Sequence, residues 1–243
     1  YDNFNFFIFT RDKTFKSGAK ISFERYGLYE KRFIINGANF IDMKWCIWLC
    51  PFGKKIKEIP QMLDLKKFLL LYSKNKKLNL ILAGGKSPLN YYKFLSKINI
   101  NWKNINFFLL DERLVSVRSK FSNYKNIKDC FKKNKIASKK IHPLNKNFLH
   151  KNKIKEHVSV LKKFKTISIV GMGLDGHFAS IFFQSPSFKN DIDKKERPNY
   201  IKTKKIGSPN VERISMNLSM LLLSNKIILY LDKKKITLLK KII

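Results

Sequence analysis

Four times along the chain an apolar run gives way to a turn and then to a stretch with helical spacing of its apolar positions. Leu78 to Ala83 runs into Gly84-Gly85-Lys86-Ser87-Pro88, and Asn90 to Ile98 continues as a helix. Ser87 is placed to cap that helix and Pro88 to take its first position. Ile105 to Leu110 leads into Asp111-Glu112-Arg113 and a loop, after which Ser122-Asn123-Tyr124 opens a helix through Phe131. Ile167 to Val170 empties into a glycine-rich loop, Gly171 to His177, and a short helix toward Phe183. Lys226 to Leu231 precedes Asp232 and a lysine run that reads as a closing helical turn. Strands alternating with helices predict an α/β domain whose mostly parallel sheet is covered by helices on both faces.

Between these units, Lys132 to Lys165 reads as helix and loop broken at Pro143. Phe183 to Pro209, with Pro186, Pro198 and Pro209, reads as an extended loop rimming the site. Residues 1–60 carry no motif. Phe6 to Phe9 and Phe33 to Ile35 are candidate strands there, and Met62 to Tyr72 a candidate helix. No repeat and no Gly/Ser linker divides the chain. The expectation is one α/β domain over 61–243, preceded by a divergent segment 1–60 whose fold the sequence leaves open.

The chain has 243 residues and a formal charge of +34, which would ordinarily suggest nucleic acid as a partner. Only Arg11, Arg25, Arg32, Arg113, Arg118, Arg197 and Arg213 are arginines, while Lys, Asn, Ile and Phe abound, the pattern that an A/T-rich genome imposes on tolerant surface. The lysines fall in scattered pairs and triplets, such as Lys54-Lys55, Lys132-Lys133 and Lys233 to Lys235, which read as solvated surface. A cleft in so positive a protein still attracts anions, phosphate esters foremost. Cys46, Cys50 and Cys130 form no even framework and no metal spacing, as in a reducing compartment. The chain begins at Tyr1 with no charged segment ahead of an apolar one, and its apolar runs are too short to span a bilayer. A cytoplasmic protein, monomer or homodimer, is expected.

Chemistry concentrates at the strand ends. Gly84-Gly85-Lys86-Ser87 gathers N–H groups, an ammonium and a hydroxyl around one point, as a phosphate requires; an ordinary βα turn is the bland alternative. Asp111 and Arg113 sit where a cleft would expose them. The guanidinium would fork onto a phosphate and the carboxylate order a water or sugar hydroxyl, unless the three charges are only a surface ion pair. His177, in the tight loop, suits a general base because imidazole titrates at about pH 6.5, and Asp175 is placed to orient it. His142, His150 and His157 lie in lysine-rich segments and read as solvent-facing. Arg213, in Glu212-Arg213-Ile214-Ser215, and Lys235 are further candidate anion contacts.

These blocks, in this order, resemble the 6-phosphogluconolactonases of the pentose phosphate pathway. The family's Ser-Gly-Gly-Ser/Thr-x-Pro loop looks like Ala83 to Pro88, and its Asp-Glu-Arg and Ser-Asn-Tyr blocks like Asp111 to Arg113 and Ser122 to Tyr124. Its Gly-Met-Gly-x-Asp-Gly-His-Thr-Ala-Ser block looks like Gly171 to Ser180. The resemblance implies a Rossmann-like fold of the sugar-phosphate isomerase/deaminase type. It also implies hydrolysis of 6-phospho-D-glucono-1,5-lactone without metal or organic cofactor. His177 would be the base, and Arg113, Arg213, Lys235 and the Gly84 to Ser87 loop would hold the substrate. Lys86 stands in place of a small hydroxyl residue and Phe178 in place of Thr. With the unmatched first 60 residues and an end at Ile243, these departures imply a divergent or truncated member. Glucosamine-6-phosphate deaminases share the Asp-Gly-His loop but follow it with an acidic segment, where this chain has Ala179-Ser180-Ile181-Phe182-Phe183. A non-catalytic member or a basic RNA-binding protein is the alternative from another class.

Overall fold

The computed structural model describes residues 76–231 apart from 86, 87 and 174, together with residues 69, 70 and 73 and four short strands near the N-terminus. Those strands are β1 (Asn5–Phe9), β2 (Phe23–Arg25), β3 (Tyr29–Lys31) and β4 (Ile47–Trp48). The candidate strand at Phe6 to Phe9 is therefore β1. Phe33 to Ile35, most of Met62 to Tyr72, Lys86, Ser87 and everything after Leu231, Lys235 included, lie outside the described residues.

The four apolar runs become β5 (Leu78–Leu82), β6 (Ile105–Leu109), β8 (Lys165–Gly171) and β11 (Lys226–Leu231). They lie parallel in the order β11-β8-β5-β6, with β1 added antiparallel beside β11. Every residue of β5 is buried, as befits a strand covered on both sides. Its one polar member, Asn79, donates to Val160 O (2.9 Å) and Thr166 Oγ1 (3.0 Å) and accepts from Asn106 Nδ2 (3.0 Å). The helices are α1 (Leu89–Leu95), α2 (Asn123–Cys130), α3 (Lys135–Lys140), α4 (Lys151–Lys163), α5 (Phe188–Asp191) and α6 (Leu218–Leu221). Ser122 caps α2 as its sequence suggests, accepting from Lys125 N at 3.1 Å. Pro88, expected at the first helical position of α1, is instead its cap residue, and its carbonyl accepts from Tyr92 N.

A second sheet was not anticipated. β7 (Asp111–Arg113), β9 (Tyr200–Ile206) and β10 (Val211–Met216) pair antiparallel in the order β7-β10-β9. The segment 183–209, expected as loop throughout, thus contains α5 and β9. Lysines at 202, 204 and 205 mask the strand in the sequence, because a sheet edge facing water needs little apolar alternation. The helix expected after the glycine loop does not form either. Gly176 (φ +84°) and Ala179 (φ +52°) are left-handed, and isolated bridges Met172↔Phe178 and Phe178↔Ile181 take the helix's place.

His142 and His150 are exposed, as expected, but His157 is not. Its ring is half-buried among Phe108, Phe148 and Tyr200, with Nδ1 2.9 Å from the Tyr200 hydroxyl. The residue lies on the inner side of α4, and helical position decided what local composition did not. Burial, reinforced by Lys153 and opposed by Glu156, pushes its pKa from 6.5 down to about 4. The unfolded chain takes up the proton first as pH falls, so this group's contribution to stability is complete above pH 6.5 and is lost toward pH 4. The loss approaches about 3 kcal/mol. Urea denaturation across this window is expected to show that slope and His157→Gln to flatten it.

Candidate active site

Residues paired across antiparallel strands share a face of their sheet. The registers Ser215↔Asp111, Arg213↔Arg113 and Arg213↔Thr203 therefore put two guanidiniums, a carboxylate and two hydroxyls on one face of β7-β10-β9. Glu112 belongs to the opposite face and does a different job. Its Oε1 accepts from Asn123 N and Arg113 N (both 2.7 Å), and its Oε2 from Tyr124 N (2.7 Å) and Ser122 Oγ (3.1 Å). The middle carboxylate of Asp-Glu-Arg thus closes the N-terminus of α2. Burial raises its pKa against the pull of these N–H donors. Glu112→Ala is expected to cost about 2 kcal/mol in chemical denaturation, since it strips a cap and orphans buried donors.

Asp111 is buried and braces three segments. Its Oδ2 accepts from Ser180 Oγ (2.6 Å), while Asn123 Nδ2 donates both to its Oδ1 (3.1 Å) and to its main-chain oxygen (2.9 Å). Ser180 N in turn donates to Ser215 Oγ (3.2 Å). A Cβ on Gly84 would lie 1.9 Å from the Asn123 amide, so the turn after β5 is pressed against α2 and needs glycine there. The next residue, Gly85 (φ +89°), has nothing within 4 Å of its absent side chain.

The loop after β8 is closed by Gly173 N donating to His177 O (2.7 Å) and Gly176 N to Gly173 O (3.2 Å). Inside it, Asp175 Oδ1 lies 2.5 Å from His177 Nδ1. A Cβ on Gly173 would fall 2.3 Å from both members of that pair, so the spacing of the glycines makes room for the pair itself. Burial alone would push the Asp175 carboxyl up. The His177 hydrogen bond and charge, with backbone N–H groups, bring it below the usual range. An ionised carboxylate only accepts, so Nδ1 carries a hydrogen, and in the neutral ring that tautomer leaves the lone pair on Nε2.

His177 stacks on Phe182 with ring centroids 4.4 Å apart, and the Arg213 guanidinium carbon is 5.2 Å from the same ring centroid. Arg213 is 2% exposed. It donates to Ile206 O (3.3 Å) and Pro209 O (2.9 Å). Burial and then the neighbouring Arg113 charge lower its pKa, against the attraction of Asp111. Arg113 Nη1 donates to Phe121 O (3.0 Å), and its buried Nε has no partner among the described residues. Among the described residues no carboxylate forms an ion pair with either arginine. Two adjacent cations with a spare buried donor make a site that favours an anion.

Of the residues singled out in the sequence, Gly84, Asp111, Arg113, Asp175, His177 and Arg213 are thus linked through Asn123, Ser180, Phe182 and the β7–β10 register, and Gly85 only follows Gly84 in the chain. Asp111 and Glu112 are buried and hydrogen-bonded within the protein, so the bland reading of Asp-Glu-Arg as a surface ion pair does not hold. Asn123 and Ser180 lay inside recognised blocks, yet their bracing depends on partners far away in the chain. Phe182 carried no signal, because an apolar residue after Ala-Ser reads as core.

The chain matches the family model described as glucosamine-6-phosphate isomerases/6-phosphogluconolactonase over residues 65–243, and it belongs to that family. It is 31% identical over 144 residues to a 6-phosphogluconolactonase of Neisseria meningitidis, a match covering 57% of this chain and 62% of that protein. It is 31% identical over 151 residues to a 6-phosphogluconolactonase of Thermotoga maritima, covering 60% and 65%. The chain therefore spans 62% to 65% of the length of these curated relatives. A solved 6-phosphogluconolactonase from Shewanella baltica shares the fold, with a TM-score of 0.61 at 22% identity over 75% of this chain and 79% of that one. Among the described residues no helix is long and apolar enough to cross a membrane.

Proposed function

We propose that the chain hydrolyses 6-phospho-D-glucono-1,5-lactone to 6-phospho-D-gluconate, in the cytoplasm. The carrying observation is the Asp175–His177 pair set one aromatic ring away from the Arg213 guanidinium, which lies beside that of Arg113 with its Nε unpartnered among the described residues. Sequence relatives with this activity support the reading.

In this scheme Arg113 and Arg213 hold the phosphate, together with the Gly84 to Ser87 loop and Lys235. His177 Nε2 takes a proton from water as the water oxygen bonds to the lactone carbonyl carbon. The tetrahedral intermediate then collapses, the ring C–O bond breaks, and the imidazolium returns the proton to the departing C5 oxygen. Asp175 keeps the imidazole in the productive tautomer and stabilises its charge. Asp111 enters as the brace that holds the histidine loop against α2. Fixing both ends of the substrate is where such a site gains most, because effective concentration alone lowers a barrier of this kind by up to about 7–11 kcal/mol.

The test is hydrolysis of freshly prepared lactone with the spontaneous rate subtracted, beside glucono-1,5-lactone without its phosphate. The phosphorylated lactone is expected to turn over far faster. Equal rates for the two would remove the anion site from the mechanism. Absence of catalysis together with steeply salt-dependent RNA binding would move the protein into the nucleic-acid class.

A further inference from the structure

We propose that Phe182 is a positioning residue for this reaction, its ring serving as one shared platform for the His177 imidazole and the Arg213 guanidinium. The inference deepens the lactonase reading and rests on it for the identity of the two groups.

Three contacts converge on the ring. The His177 imidazole lies 4.4 Å away, centroid to centroid, and only 29° from parallel. The Arg213 guanidinium carbon stands 5.2 Å from the same centroid. On a third side the β9–β10 turn closes in, where a Cβ on Gly207 (φ +75°) would fall 2.8 Å from two ring atoms and 3.2 Å from Arg213 Nη2. Phe182 itself is 1% exposed and follows Ser180, whose hydroxyl is tied to Asp111. The ring is therefore closely packed, and it lies against both the His177 imidazole and the Arg213 guanidinium.

A fixed ring in contact with both groups sets the distance between the proton acceptor and the cation that holds the phosphate. That distance decides whether the lactone carbonyl of a bound substrate meets the base. Asp175 restrains the imidazole at one edge and Phe182 restrains it across its face, so neither χ angle of His177 is free. The ring also has an electrostatic part. Its negative face attracts the guanidinium permanently and attracts the imidazole as positive charge develops on it during proton transfer, both contacts lying within cation–π range. An aliphatic side chain of similar bulk fills the space and supplies neither effect.

Phe182→Leu is the first test, with folding checked by thermal melting. It is expected to lower kcat about tenfold, to raise KM, and to weaken inorganic phosphate binding about threefold, read by titration calorimetry. Because Leu also changes packing, a second series places mono-, di- and trifluorinated phenylalanine at position 182. Fluorination drains the ring face while keeping its shape, so kcat and phosphate affinity are expected to decline in step with fluorine number at constant melting temperature. Wild-type kcat and phosphate affinity in Phe182→Leu would overturn the proposal. So would a flat fluorine series, which would reduce the ring to packing, or a wild-type chain that does not bind phosphate at all. A wild-type chain that binds phosphate in a ring-dependent way but hydrolyses no lactone would instead defeat the functional reading alone.

Discussion

Replacing His177 with alanine is expected to bring lactone turnover down by about 10²–10⁴-fold, to the spontaneous rate, while the protein stays folded. The loss should fall on kcat, because in the proposed mechanism the imidazole acts only as the transition state forms and does not hold the phosphate. Progress curves with background subtraction supply kcat and KM. Circular dichroism melting separates lost chemistry from lost structure, since His177 sits on a loop and its removal costs one ring stack and one hydrogen bond to a half-exposed Asp175. Inorganic phosphate should still bind. Unchanged turnover in His177→Ala would end the general-base mechanism, whatever the fold.

The second large effect belongs to Arg213, and it should appear in binding. Arg213→Met keeps the apolar length of the side chain over Phe182 and removes the charge. A lost charge-assisted phosphate contact is worth about 1.5–3 kcal/mol, so KM for the lactone is expected to rise about 10- to 100-fold. Without ligand the same change should be close to neutral for stability. The guanidinium is buried beside another cation and, among the described residues, forms no ion pair with a carboxylate, so its desolvation cost disappears together with its bonds to Ile206 O and Pro209 O. Added phosphate stabilises the wild-type protein by mass action, and that gain in melting temperature should vanish in Arg213→Met. A variant that keeps both its KM and its phosphate-dependent melting shift would show that the anion binds elsewhere.

The two predictions separate cleanly because the constellation has two halves with different legibility. The histidine half was written locally. Gly173, Asp175, Gly176 and His177 lie within five residues, the glycines are required by the close approach of the pair and by a left-handed φ, and the loop is nearly the same object in sequence and in space. The cationic half was not. Arg113 and Arg213 are a hundred residues apart, and what makes them neighbours is the register of an antiparallel sheet that the sequence reading did not contain. β7 has three residues and β9 is interrupted by lysines, so neither shows the alternation that announces a strand. The same gap explains Glu112, whose neighbours in the chain suggest surface charge and whose real partners are the first N–H groups of α2. His157 fails in the same direction, since its lysine-rich surroundings say surface while its place on α4 turns it inward.

The chain's own order of residues therefore determined the parallel strands, the start of α2 and the histidine loop, because buried strands, helix starts and tight glycine turns are dictated by residues that touch their near neighbours. The tertiary structure alone decided the second sheet, the pairing of the arginines, the bracing of Asp111 by Ser180 and Asn123, and the placing of Phe182 against both His177 and Arg213. Those features depend on contacts between segments tens of residues apart, whose energies no local pattern encodes and only the closed fold brings together.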